Sequence, residues 1–159
     1  MSSTDRIEKD VVLRAPRARV WEAIGDSAEF GTWFRCRFDG PFRAGEELRG
    51  TLEEPGHEGT GFVIFVERVE PGRHLSFRWH AEGVDLQSDY ASEPTTLVSF
   101  DLEDAPDPRS PGVPRTRLRI VESGFDALPA GVGVGTRERN AEGWAIQAGR
   151  ISEHVAKAA

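Results

Sequence analysis

The hydrophobic and polar positions of this chain change period several times along its length, and each change marks an element. Residues Ile7 to Leu13 alternate and end in Val-Val-Leu, which predicts a first strand. Ala15-Pro16 stops it, and proline suits the first turn of a helix. The segment ARVWEAI then sets Ala18, Val20, Trp21 and Ile24 along one helical face, and Gly25 closes it. Asp26 or Ser27 can cap a second short helix, SAEFGTWF, whose apolar positions are Phe30, Trp33 and Phe34. From Arg35 to Phe42 the chain is expected to be extended with a turn at Asp39-Gly40, and Glu47 to Glu53 alternates as a half-buried strand does. The run GFVIFVERVE, Gly61 to Glu70, is rich in strand formers but too uniformly apolar to show which face is inward. Pro71-Gly72 turns the chain, and HLSFRWH pairs back with Leu75, Phe77 and Trp79 on one face.

Beyond a polar loop, AEGVDLQSDYASEP, the alternation is clean. Thr96, Val98, Phe100 and Leu102 share one face of a strand, and Thr116, Leu118, Ile120 and Glu122 share one face of the next. Between these strands, DAPDPRSPGVPR reads as an exposed connection. GFDALPAGVGVG is a glycine-rich crossing, and Gly135 to Ala158 follows as a proline-free run of helix formers. There Ala141, Trp144, Ala145, Ala148, Ile151, Ser152 and Val155 recur at spacings of three and four, one stripe of a long helix. Consecutive strands joined by turns imply an antiparallel sheet with one solvated face. The expected fold is α+β: a curled antiparallel sheet of about six to seven strands gripping the long C-terminal helix, with two short helices after the first strand. The outer face should carry Arg78, His80, Asp101, Arg117 and Arg119.

Composition narrows the function. A length of 159 residues fits one domain, and a formal charge of −7 argues against nucleic acid and against an anionic membrane surface as partners. The lone Cys36 cannot form an internal disulfide, the N-terminus has no apolar core, and no run reaches membrane-spanning length, so a cytoplasmic protein is expected. His57, His74, His80 and His154 sit in different elements without ligand spacing, so no metal and no cofactor are expected. There is no GxSxG elbow. GVGVG lacks the lysine of a P-loop and the dinucleotide spacing, and glycine there better serves the crossing.

Glu122 stands out. The alternation turns it inward with Leu118 and Ile120, where a carboxylate carries a desolvation cost unless a cation answers it. It then lines a pocket or acts as acid or base; alternatively it reaches water at the strand end, or pairs with an arginine such as Arg150. Trp79 and Trp144 can meet across the gap between sheet and helix and stack on a flat ligand, or they fill the core; either way their indole N–H groups need partners. Trp21 is expected in the core.

The pieces VVLRAPRARVWEAIGD, FGTWF, GPFRAGEELRG, VERVEPGRHLSFRW, EPTTLVSFDL, TRLRIVESGFD and EGWAIQAGRISEHV, in this order, carry a family likeness. The chain resembles the START-like, or helix-grip, superfamily (also called SRPBCC), and within it the group named for the C-terminal domain of the heat shock protein 90 ATPase activator. The resemblance implies a cavity between sheet and long helix that takes an apolar or aromatic small molecule. Trp33, Phe77, Trp79, Glu122, Phe125 and Trp144 are the expected lining, and Tyr90 joins them if its loop folds inward. It also implies two alternatives: a cyclase or hydrolase using Glu122, for which Glu122→Gln would abolish turnover and leave the fold intact, or a chaperone-facing interaction domain. The eukaryotic co-chaperone carries a further N-terminal domain; a first strand starting by about residue 6 leaves no room for it, which sets the expectation against co-chaperone work.

Overall fold

The computed structural model describes residues 5–81, 86–87, 89–129 and 133–157. The expected order of elements is present: β1 (Arg6–Leu13), α1 (Arg17–Gly25), α2 (Ser27–Phe34), β2 (Cys36–Phe38), β3 (Glu47–Leu52), β4 (Gly61–Glu70), β5 (His74–Trp79), β6 (Thr96–Asp104), β7 (Thr116–Ser123) and α3 (Gly133–Lys157). The strands form a 7-stranded antiparallel sheet in the order β1-β7-β6-β5-β4-β3-β2, so a meander runs from β2 to β7 and β1 closes beside β7. The 131–135 glycine run, part of the polar loop after β5 and the last residues of the expected helix lie partly outside the described residues.

Local chemistry accounts for the helix boundaries. Pro16 precedes α1, and its carbonyl accepts from the backbone N–H groups of Arg19 and Val20 at 3.0 and 3.1 Å. Asp26 caps α2, its Oδ1 accepting from the N–H groups of Ala28 (2.9 Å) and Glu29 (3.4 Å). Arg35 ends α2 in the left-handed region at φ 69° and turns the chain straight into β2. Gly31 permits that sharp return, because an added Cβ would overlap the Cys36 carbonyl oxygen. Gly31→Ala should therefore lower the Tm by on the order of 5 °C in a circular dichroism melt, overlap outweighing the gain in helix propensity. An unchanged Tm would show that α2 and β2 can separate freely.

The inner face is the expected one on β5, β6 and β7, and Leu75, Phe77, Val98, Phe100, Leu118 and Ile120 are buried in the core. On β4 the structure resolves what the apolar run hides. Phe62, Ile64 and Val66 face the core, and a bulge between Val66 and Arg68 brings Val69 back onto it. On the opposite face, Phe65 meets His80 (5.8 Å between ring centroids) and Tyr90 (6.5 Å). The Tyr90 hydroxyl donates to Glu47 Oε2 at 2.8 Å, so Tyr90 covers the outer face of the sheet and does not fold inward. Arg117 pairs there with Asp10 (3.0 Å) and Glu103 (3.1 Å), Arg78 pairs with Glu67, and Arg119 pairs with Glu8. Such solvated pairs add little to stability, because water screens the attraction and two long side chains must be ordered.

The face of α3 differs from the expected stripe. Thr136, Trp144, Ile151 and Val155 are buried and Asn140 is half-buried, whereas Ala145 is exposed. The buried line steps by one or two turns from Thr136, and Ala145, next in sequence to Trp144, is rotated about 100° away from it. Among the described residues, no helix is long and apolar enough to cross a membrane.

Candidate functional site

Glu122 is the inward residue near the end of β7 and is fully buried. Four donors from three other elements converge on its carboxylate. Trp79 of β5 donates its indole N–H to Oε2 at 2.8 Å, and the Thr96 hydroxyl of β6 donates to the same oxygen at 2.6 Å. Trp144 of α3 donates to Oε1 at 2.8 Å, and Asn140, one turn earlier on α3, lays its Nδ2 across both oxygens at 3.0 and 3.2 Å. An indole N–H and an amide NH₂ can only donate, and a carboxylate can only accept. Among the described residues Glu122 forms no ion pair, so these neutral donors replace the cation that burial calls for. Arg150, the partner the sequence suggests, instead binds Glu54 at 2.8 Å and holds that carboxyl below the usual carboxylate range, against a smaller opposing effect of burial.

The shared carboxylate sets the two tryptophans. Trp79 and Trp144 stack on each other at 5.8 Å between centroids and 26° between planes, and Phe34 at the end of α2 packs against both at 6.1 and 6.0 Å. They meet across the gap between sheet and helix and stack on each other, where the sequence left open a stack on a ligand or a place in the core.

Beside this pair lies a cleft of ≈ 250 Å³. The end of β3, the start of β4 and the end of β5 form one wall, with Leu52, Phe62, Val63 and Trp79; Phe34 and Asn140 form the other. A smaller notch of ≈ 100 Å³ adjoins it, sharing Phe34, Trp79 and Asn140 and reaching Gly143, Trp144 and Gln147 on α3. Among the described residues, no aspartate, glutamate, lysine or arginine lines either space.

The structure thus brings together three of the expected site residues, Trp79, Glu122 and Trp144. The other three lie elsewhere in the core. Trp33 is 3 % exposed and donates its indole N–H to the Ala23 carbonyl at 2.8 Å, tying α2 to α1. Phe77 sits beneath Trp79 at 5.5 Å, against Phe100 and Phe30. Phe125 is buried in the turn after β7. Asn140, Phe34, Phe62, Gly143 and Gln147 were not singled out from the sequence. Asn140 and Gln147 carry a signal, since they lie one helical turn before and after Trp144 and so share its face.

Cys36 is buried where β2 meets α2, and loss of hydration pushes its thiol up to about 12, with the nearby Glu53 carboxylate acting in the same direction. Among the described residues, no group of three or more histidine, cysteine, aspartate or glutamate side chains is placed to hold a metal ion.

A curled antiparallel sheet closing on a long C-terminal helix, with a cleft between them, defines the START-like, helix-grip class. Within it the chain belongs to the family described as activator of Hsp90 ATPase homolog 1-like protein, whose model matches residues 14–156. Among curated proteins, none matches the chain. Solved structures similar to it include DynU16, a protein of the dynemicin biosynthetic locus, at 24% identity and a TM-score of 0.66. That match covers 95% of this chain and 47% of DynU16, so the chain spans about half the length of that relative. MLL2253 from Mesorhizobium loti is 19% identical with a TM-score of 0.70 over 96% of this chain and 97% of its own. Aha1 from Colwellia psychrerythraea, solved as a dimer, is 13% identical with a TM-score of 0.67 over 94% and 95%. At these identities the likeness is one of fold.

Proposed function

We infer that this START-like domain binds an apolar or aromatic small molecule in the cleft between α3 and the β3–β5 side of the sheet. The observation that carries the reading is the cleft itself, an aromatic-walled space of ≈ 250 Å³ with an adjoining notch of ≈ 100 Å³. Small-ligand sites of this kind measure about 300–1,000 Å³ and combine apolar walls with few polar groups. Glu122 supports the reading as a positioning residue. It is fully buried, its oxygens are occupied by donors, and the groups it holds, Trp79, Trp144 and Asn140, are those that face the open space. Acid–base work would require it to reach a reacting atom, and its donors stand in the way.

The test is a thermal-shift screen against uncharged aromatic compounds, fatty acids and polyketide-like compounds. A ligand at 100 times its Kd stabilises by about 2.7 kcal/mol, or on the order of 5–10 °C for a chain of this size. Thr60 lies on the exposed rim of the cleft, and Thr60→Arg should abolish the shifts without altering the unliganded Tm. Silence across the panel, or shifts that survive Thr60→Arg, would sink the reading.

A further inference from the structure

The hydrogen bonds around Glu122 settle the orientation of one amide, and that orientation selects the ligand. Both oxygens of Glu122 face the Asn140 side chain, so Nδ2 must point at them. The reverse orientation would set oxygen against oxygen. Asn140 Oδ1 therefore points away from the carboxylate. Among the described residues it makes no hydrogen bond, and it is not among the buried atoms lacking a partner. It is an accessible acceptor at the junction of cleft and notch, both of which Asn140 lines.

Gly143 adds a second observation. It lies in the middle of α3, where glycine costs helix stability relative to alanine. An added Cβ there would meet nothing within 4 Å, so packing does not require glycine at this position. Gly143 lines the notch between Asn140 and Gln147, and its missing side chain leaves that space open.

We propose that the site recognises an uncharged aromatic molecule bearing a hydrogen-bond donor, a phenolic hydroxyl or ring N–H, which binds Asn140 Oδ1 with its edge in the notch that Gly143 keeps open. The inference rests on the cleft being a binding site and goes further by naming the ligand's charge and polarity. An anionic ligand is disfavoured because the described lining holds no lysine or arginine, its histidine, His80, is held by the Tyr90 carbonyl through Nε2, and Asn140 turns an acceptor toward the space. Glu122 acts on specificity through Asn140, as a positioning residue.

The experiment compares 2-naphthol, naphthalene and 2-naphthoate on the unmodified protein by titration calorimetry. One hydrogen bond to an oriented acceptor should make 2-naphthol bind about tenfold tighter than naphthalene. 2-Naphthoate should bind at least about tenfold more weakly than 2-naphthol. In Asn140→Leu the preference of 2-naphthol over naphthalene should vanish while naphthalene binding persists. Gly143→Ala should raise the Tm by about 2–4 °C and weaken 2-naphthol by roughly fivefold or more. Equal affinities for 2-naphthol and naphthalene, or tightest binding of 2-naphthoate, would overturn this inference and leave the cleft as a binding site. Absence of binding by all three would overturn this inference, and the thermal-shift panel then decides separately whether the cleft binds any ligand. The comparison of ligands on the unmodified protein holds even if Asn140→Leu does not fold.

Discussion

Glu122→Leu should lower the Tm by on the order of 15 °C, and Glu122→Gln by about half as much. Leucine supplies no acceptor, so the indole N–H groups of Trp79 and Trp144, the Asn140 amide and the Thr96 hydroxyl all lose theirs in the interior. A buried donor left unsatisfied costs about 1–3 kcal/mol, and Thr96 and half-buried Asn140 can recover partners by rotating, so the sum is roughly 5 kcal/mol. Glutamine keeps one acceptor. Its NH₂ can donate to Thr96 or to a turned-over Asn140, the surrounding groups that can also accept, and in either place it leaves one indole N–H, of Trp79 or of Trp144, without a partner. To the sequence-based expectation that Glu122→Gln leaves the fold intact, the hydrogen bonds add a graded loss of stability, leucine worse than glutamine. Urea and thermal melts of both variants check it. A Tm for Glu122→Leu within about 3 °C of the unmodified protein would mean that these N–H groups find water, and that the carboxylate does not organise the site.

Trp144→Ala should cost about 3–5 kcal/mol, because a fully buried indole leaves a cavity between α3 and the sheet. Trp144→Phe separates ring packing from the hydrogen bond: it keeps most of the contact with Trp79 and Phe34 and deletes the donor to Oε1. Combining it with Glu122→Gln is the more telling measurement. With the Trp144 N–H gone, the glutamine NH₂ can occupy the Oε1 side and donate to Asn140 Oδ1 once that amide turns over, and its oxygen can accept from Trp79 and Thr96. The double variant should therefore be more stable than the sum of the single costs predicts, by about 1–2 kcal/mol. Additivity within about 0.5 kcal/mol in urea melts would show that the two tryptophans are held by packing alone.

The pattern of residues by itself determined most of the fold. Alternation on β6 and β7 places Val98, Phe100, Leu118, Ile120 and Glu122 inward, Asp26 or Ser27 starts α2, and a long C-terminal helix follows β7. These features are local, with periods of two or 3.6 residues that a chain displays along itself. Where the signal was uniform or weak, the tertiary structure decided. The apolar run of β4 takes its inner face from pairing with its neighbours, and α3 shows which of its small residues are buried by where it lies on the sheet.

The site was legible only in part. Glu122 and Trp144 could be placed inward, but the sequence suggested Arg150 as partner to the carboxylate. The structure instead supplies Trp79 from 43 residues away and Thr96 from 26, with Asn140 and Trp144 from the helix beyond β7. Such bonds depend on which strand ends and helix turns arrive at one point, and no local period records that convergence. The cleft has the same origin. It is the space left between α3 and the start of β4 once Trp79 and Trp144 have stacked, so it belongs to the packing of whole elements and to no segment of the chain.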